Sequence, residues 1–123
     1  MRSEQRRAMV QRTRRYALSV IRLYTTLSKS TVAQVLGRQL LRSATSVGAH
    51  YREACRAKSA ADFVSKIEGA LQELDETGYW LELLVESETV RANDCEALIA
   101  ETNELISIFV SVVRTVKSSS RSR

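Results

Sequence analysis

The chain has 123 residues, 27% of them charged, a formal net charge of +5, no proline and four glycines. Its length suits one domain, and the missing proline and scarce glycine exclude a many-turned β protein and favour long uninterrupted helices. No apolar run approaches the roughly 20 residues a bilayer-spanning helix needs, and the basic N-terminus lacks the continuous apolar core of a secretory signal, so a cytoplasmic protein is expected.

Residues 4–28 read as helix one. Val10, Thr13, Ala17, Val20, Tyr24 and Leu27 recur at steps of three and four, with Ile21 alongside. That spacing keeps side chains on one face of a 3.6-residue helix and predicts a core stripe there. Arg12, Arg15, Arg22 and Lys29 face away from it.

Helix two is expected over 31–57. Ser30 or Thr31 is placed to cap it, and Thr31 followed by Gln34 fits a capping box. Leu36, Leu40, Ala44, Val47, Tyr51 and Ala54 form its core face. Arg38, Arg42, Thr45, Ala49, Arg52 and Arg56 lie opposite and make the other side cationic. Gly48 sits mid-helix, where glycine costs about 1 kcal/mol relative to alanine. Its expected return is the close approach of a neighbouring helix or a slight bend, with a hinge or ligand contact as the functional alternative.

Helix three is expected over 60–88, opening at a box formed by Ser59 and Asp62. Phe63, Ile67, Ala70, Leu74, Leu81 and Leu84 mark its core face, with Thr77 filling a gap. The mean step of about 3.5 predicts shallow left-handed crossing. Its outer stripe, Glu68, Gln72, Asp75, Tyr79, Glu82 and Glu86, is acidic. Tyr79, Trp80 and Leu83 put large side chains on or beside that stripe, which suggests a protein contact.

Helix four is expected over 93–117, capped by Asn93. Cys95, Leu98, Thr102, Leu105, Phe109, Val112 and Val116 form its core series. Ile99, Ile106, Ile108, Val110 and Val113 spread apolar surface round the rest of the cylinder, and a helix apolar on most sides is covered on most sides. Residues 118–123, small, polar and basic, read as a disordered tail. The whole is an all-α fold, an antiparallel up-down-up-down four-helix bundle over 1–117.

Charge is segregated along the chain. Residues 1–30 carry net +7, residues 31–58 net +4, residues 59–90 net −7 and residues 91–123 net +1. The bundle is therefore a dipole with a basic helix-one/helix-two side and an acidic helix-three side. Opposite patches on one chain are the layout of a head-to-tail interface, which closes into a ring where the rotation permits.

Catalytic chemistry is missing from the pattern. The di-iron site of this architecture needs two Glu-x-x-His pairs, and the chain has a single histidine, His50. There is no phosphate-cradling glycine loop, no CxxC and no nucleophile elbow. No enzyme, metal or cofactor is expected. Glu73 and Glu76, three apart on helix three, read as partners for arginines. Cys55 and Cys95 fall at opposite ends of the bundle, beyond disulfide reach, and read as structural thiols.

Residues 35–54, VLGRQLLRSATSVGAHYREA, resemble the signature helix of a known family: the four-helix-bundle proteins related to those encoded in intervening sequences of bacterial large-subunit ribosomal RNA genes. Asp62-Phe63 with Lys66, Glu73 with Glu76, and Tyr79-Trp80-Leu81-Glu82-Leu83-Leu84 resemble its third helix. Glu101 to Leu105 resemble its fourth. The resemblance covers roughly residues 34–112, with His50 at a position the family fills with asparagine. It implies an antiparallel bundle and, from relatives, a five-membered ring. It implies no catalysis. Distant relatives include a basic ring that works with a reverse transcriptase, so the resemblance also points to nucleic acid and to a nucleic-acid-processing protein as partners.

Two functions are expected from these readings. The first is a ring-forming scaffold that binds nucleic acid, RNA in preference to DNA, through Arg12, Arg15, Arg22, Lys29 and Arg38. The second is a protein–protein adaptor whose charges serve self-assembly alone. The expected subunit interface comprises Arg42, Arg52, Asp75, Tyr79, Trp80, Glu82, Leu83, Ile99, Ile106, Val110 and Val113.

Overall fold

The computed structural model describes residues 2–121. Four helices follow one another: α1 (Ser3–Thr25), α2 (Thr31–Cys55), α3 (Ala60–Glu86) and α4 (Ala92–Arg121). They form the antiparallel bundle expected from the sequence, each packed on its chain neighbours, with α4 closing back on α1. No described helix is long and apolar enough to cross a membrane.

Local chemistry sets the helix ends. The Ser30 hydroxyl accepts from the Ala33 N–H at 3.2 Å and caps α2. The expected box on Thr31 does not form. Gln34 lies one position too far along, so its amide donates to the Ser28 carbonyl at 2.7 Å and accepts from the Tyr24 hydroxyl. Ser59 caps α3 from the Asp62 N–H at 3.0 Å. α4 starts at Ala92, which places Asn93 inside the first turn rather than at the cap. The helix also runs on to Arg121, past the expected end at Lys117, so residues 118–121 are helical and not a disordered tail. Residues 122–123 of that tail lie outside the described residues.

After α3, Ser87 closes the helix and Glu88 takes a left-handed backbone with φ of 60°. The N–H groups of Glu88 and Thr89 reach the carbonyls of Val85 and Leu84. That is a Schellman ending, which favours glycine at the position Glu88 holds.

The core runs the length of the bundle. α2 buries Ala33, Leu40, Ala44, Val47, Tyr51 and Ala54; α3 buries Val64, Ile67, Ala70, Leu74, Leu81 and Leu84. Leu36 and Phe63 are half-buried at the borders of the faces assigned to them. Tyr51 stacks on Phe109 at 5.6 Å between ring centres.

α1 is turned from its expected setting. It buries Met9, Thr13, Tyr16 and Val20, with Leu27 buried just past its end, while Val10, Ala17 and Tyr24 are half-buried and Ile21 is exposed. The reason is a close seam with α2. Gly48 presents its missing Cβ position 3.2 Å from Thr13 Oγ1, which is the close approach expected of this glycine. Val10 and Ala17 consequently line a groove over the α1–α2 seam instead of entering the core.

α4 also differs. Val113 is buried and Val112 half-buried. Ile99, Ile106, Ile108 and Val110 pack against the core, and none ranks among the exposed large apolar residues. Those are Leu18 and Ile21 on α1, Val32 and Val35 on α2, and Tyr79 on α3.

A belt of hydroxyls crosses the core. The Tyr16 hydroxyl meets Thr102 Oγ1 at 2.5 Å, linking α1 to α4. Ser43 meets Thr77 Oγ1 at 2.8 Å, linking α2 to α3. Each threonine also donates to a carbonyl of its own helix, Leu98 or Glu73. Buried polar groups matched in this way fix one register, because sliding a helix would leave several hydroxyls unpaired.

Candidate functional site

The described surface divides by helix. The outer stripe of α3, comprising Glu68, Gln72, Asp75, Tyr79, Glu82 and Glu86, is exposed throughout. Opposite it, α1 and α2 expose Arg14, Arg15, Arg22, Arg38, Arg52 and Arg56, with Lys29 in the turn between them. None of these seven cations carries an ion pair among the described residues.

Two expected site residues leave the set. Arg12 turns toward α4, where its Nε and Nη2 donate to the two oxygens of Glu101 at 2.8 and 2.7 Å. The hydrogen bond to Glu101 holds its guanidinium above the usual value. A guanidinium so engaged has little left for a phosphate. Arg42 bridges inside the chain to Glu76 at 2.5 Å and Glu73 at 3.4 Å, tying α2 to α3. The sequence places it at the subunit interface, but its charge is used within one copy. Glu73 and Glu76 thus take the arginine-partner role read from their spacing.

The remaining interface residues separate by burial. Arg52, Asp75, Tyr79 and Glu82 are exposed, and Leu83 is half-buried. Trp80 is half-buried against the chain's own core, with its Nε1 enclosed and unpartnered, so it belongs to packing more than to an outer contact. Tyr79, tilted against it at 5.1 Å, is 54% exposed and is the aromatic that faces outward. Ile99, Ile106 and Val110 are half-buried, and Val113 is in the core. Those four were placed at the interface because the periodicity of α4 spreads over the whole cylinder. Contacts with both α1 and α3 account for that spread.

Three grooves mark the α1 side. One of about 570 Å³ follows the α1–α2 seam, floored by Ala17, Gly48 and Ala49 and edged by Arg14 and Arg52. Two, of about 510 and 520 Å³, lie along the α1–α4 seam, both edged by Arg12. The first of these is apolar, with Met9, Phe63, Val112 and Val116 in its walls.

Titratable groups elsewhere serve packing. Burial pushes the Tyr16 hydroxyl up to about 12, against the opposing hydrogen bonds of Thr102 and Thr77. Burial, then the charge of Asp94, raises the Cys95 thiol; both cysteines are free. His50 packs its ring on Gly69, and its Nε2 lies 3.8 Å from Glu73. Among the described residues no group of three or more His, Cys, Asp or Glu side chains is placed to hold a metal ion.

Arg14 and Arg56 are exposed cations that the sequence reading did not choose as site residues, whereas Arg52 belongs to the expected subunit interface. The signal was present in their outward spacing, but only the seam geometry shows that Arg14 and Arg52 border one groove, while Arg56 lines a separate one with Arg52.

The family model described as 23S rRNA-intervening sequence protein matches residues 5–111. A comparison with curated proteins finds no match. A solved structure from Bacteroides thetaiotaomicron, described as a protein with unknown function from the S23 ribosomal protein family, is 34% identical, covers 89% of this chain and 97% of its own, and superposes with a TM-score of 0.82. With the match spanning nearly the whole bundle, the chain belongs to the 23S rRNA-intervening sequence protein family.

Proposed function

We propose that the protein is a non-enzymatic, self-assembling helical scaffold of the cytoplasm whose basic α1–α2 layer binds nucleic acid, RNA in preference to DNA. The observation that carries this reading is the cation set of that layer. Arg14, Arg15, Arg22, Lys29, Arg38, Arg52 and Arg56 are exposed and lack acidic partners among the described residues, while the outer stripe of α3 exposes Glu68, Asp75, Glu82 and Glu86. An array of unneutralised guanidinium groups attracts a polyanion by a field that does not depend on base sequence. The family's name ties its members to intervening sequences of 23S rRNA, which supports RNA as the polyanion. The assembly expected from the family resemblance is a ring of five.

The test is fluorescence anisotropy with a labelled single-stranded RNA. Four arginine–phosphate contacts predict a fall in affinity of roughly 50-fold between 50 and 200 mM salt. Absence of binding at 50 mM salt refutes the nucleic-acid half of the proposal.

A second reading keeps the assembly and drops the nucleic acid: an adaptor whose charged faces meet one another. The acidic stripe on α3 and the exposed Tyr79 favour it. It predicts that polyanions are ignored and that salt dissociates the oligomer.

A further inference from the structure

Two stripes on opposite sides of the bundle match one another. On α1, Arg15, Leu18 and Arg22 follow at steps of three and four and are all exposed. On α3, Asp75, Tyr79 and Glu82 follow at steps of four and three and are also exposed. Each stripe is a large apolar side chain between two like charges, and the charges are of opposite sign. Leu18 is 42% exposed and Tyr79 54% exposed, so each leaves apolar surface that its own copy does not cover.

Their heights along the bundle also agree. Gly48 lies against Thr13, and Gly37 against Tyr24, which places Leu18 level with about residue 43 of α2. Ser43 in turn is hydrogen-bonded to Thr77. Leu18 is therefore level with Thr77, and Tyr79 is two residues on. By the same register Arg15 stands within about two residues of Asp75, and Arg22 within about two of Glu82. At 1.5 Å per residue the offset is about 3 Å at most, and it has the same sign for all three pairs.

We infer that these stripes are the two halves of one head-to-tail interface between copies of this chain. α1 of one copy lies parallel to α3 of the next, with Arg15 on Asp75, Leu18 on Tyr79 and Arg22 on Glu82. The inference rests on the self-assembly half of the proposal above and names the surface that performs it. Because the stripes share one height, successive copies sit side by side with almost no climb along the axis. That is the condition for a closed ring in place of an open helical filament. Arg15 borders the α1–α4 groove, so the α1 stripe leans from the outward direction toward α4 and inclines the two docking faces to each other. Arg15 and Arg22, assigned from the sequence to nucleic acid, become interface residues. Arg14, Lys29, Arg38, Arg52 and Arg56 remain for phosphates.

The experiment is molar mass by light scattering, with charge reversal and rescue. The double variant Arg15→Glu with Arg22→Glu is expected to fall to the 13.8 kDa of one chain. The double variant Asp75→Arg with Glu82→Arg is expected to do the same. All four changes in one chain restore complementarity and are expected to return the wild-type mass. Wild-type mass in either double variant overturns the inference while leaving self-assembly standing. Failure of the fourfold variant to reassemble also overturns it. A wild-type protein that is itself a single chain removes self-assembly and the inference together. Should a reversal variant misfold, Leu18→Cys combined with Tyr79→Cys decides the case. These positions lie on opposite sides of one bundle, so oxidation must link different copies into a ladder, and its absence from assembled protein overturns the inference.

Discussion

Gly48 and Gly78 allow one perturbation to be read with two signs. Both lie inside helices, where replacing glycine by alanine gains about 1 kcal/mol of helix propensity. At Gly78 the new methyl meets only Thr102 Cγ2, at 3.8 Å, an ordinary contact. Gly78→Ala is therefore expected to stabilise the bundle by about 1 kcal/mol. At Gly48 the methyl meets Thr13 Oγ1 at 3.2 Å and Thr13 Cβ at 3.5 Å. Thr13 cannot step aside. It is 1% exposed, and its hydroxyl donates to the carbonyls of Met9 and Val10 at 3.0 and 3.1 Å. Forcing a methyl into such a seam costs about 1–3 kcal/mol. Set against the propensity gain, Gly48→Ala is expected to destabilise by roughly 1 kcal/mol, a separation of about 2 kcal/mol between the variants. Urea unfolding followed by circular dichroism measures both. If Gly48→Ala stabilises as much as Gly78→Ala, α1 and α2 do not meet as closely as described, and the explanation for the turned α1 fails with it.

Glu88→Gly is expected to stabilise by roughly 1 kcal/mol or less, since glycine adopts the left-handed backbone at φ 60° without the Cβ clash but loses more chain entropy; thermal unfolding reads it. Burial raises the Tyr16 hydroxyl from 10.0 to about 12, so the unfolded chain releases its proton first as pH rises. The contribution is intact below pH 10 and is lost as pH climbs toward 12, an order of 2–3 kcal/mol in total. Tyr16→Phe should flatten that part of the stability–pH curve, leaving the share of Tyr51, whose hydroxyl burial also raises. A double-mutant cycle on Arg12 and Glu101 is expected to give a coupling of about 0.5–1 kcal/mol, because both side chains remain about one-third exposed. Salt is expected to release RNA before it dissociates the oligomer, since the proposed subunit contact contains Leu18 and Tyr79 and the proposed phosphate contact is charge alone; mobility shifts and light scattering across 50–500 mM salt compare the two.

The faces of α2 and α3 were legible because each has one unbroken apolar stripe. α1 was not, for a definite reason. Thr13, Val20 and Leu27 belong to two overlapping stripes, one completed by Val10, Ala17 and Tyr24 and the other by Met9, Tyr16 and Leu23. Periodicity cannot choose between them. The choice is made by other helices: Tyr16 reaches Thr102 on α4, while Val10 and Ala17 flank the seam where Thr13 meets Gly48 of α2. The hydroxyl belt was illegible for a similar reason: Tyr16 and Thr102 are 86 positions apart. The candidate site was legible as a charge pattern but not as a list of available charges. Arg12 looks like Arg15 in sequence, and only its pairing with Glu101, 89 residues away, removes it.

The unpaired charges have a cost that any function must explain. Exposed cations on one layer repel one another, and none of the seven named above is bridged as Arg42 is by Glu73 and Glu76. Arg15 and Arg22 are about 10 Å apart along α1, near the screening length at physiological salt, so each interacts mainly with what lies directly opposite. An acid stripe with the same spacing neutralises them individually, which a polyanion of different phosphate spacing does less well. Arg14 and Arg52 stand on facing edges of one groove and reinforce each other's field along it. That arrangement suits a continuous line of negative charge in the groove better than discrete carboxylates. On the proposed function, the spacing of the cations divides the basic layer into a part for another copy and a part for a phosphate chain.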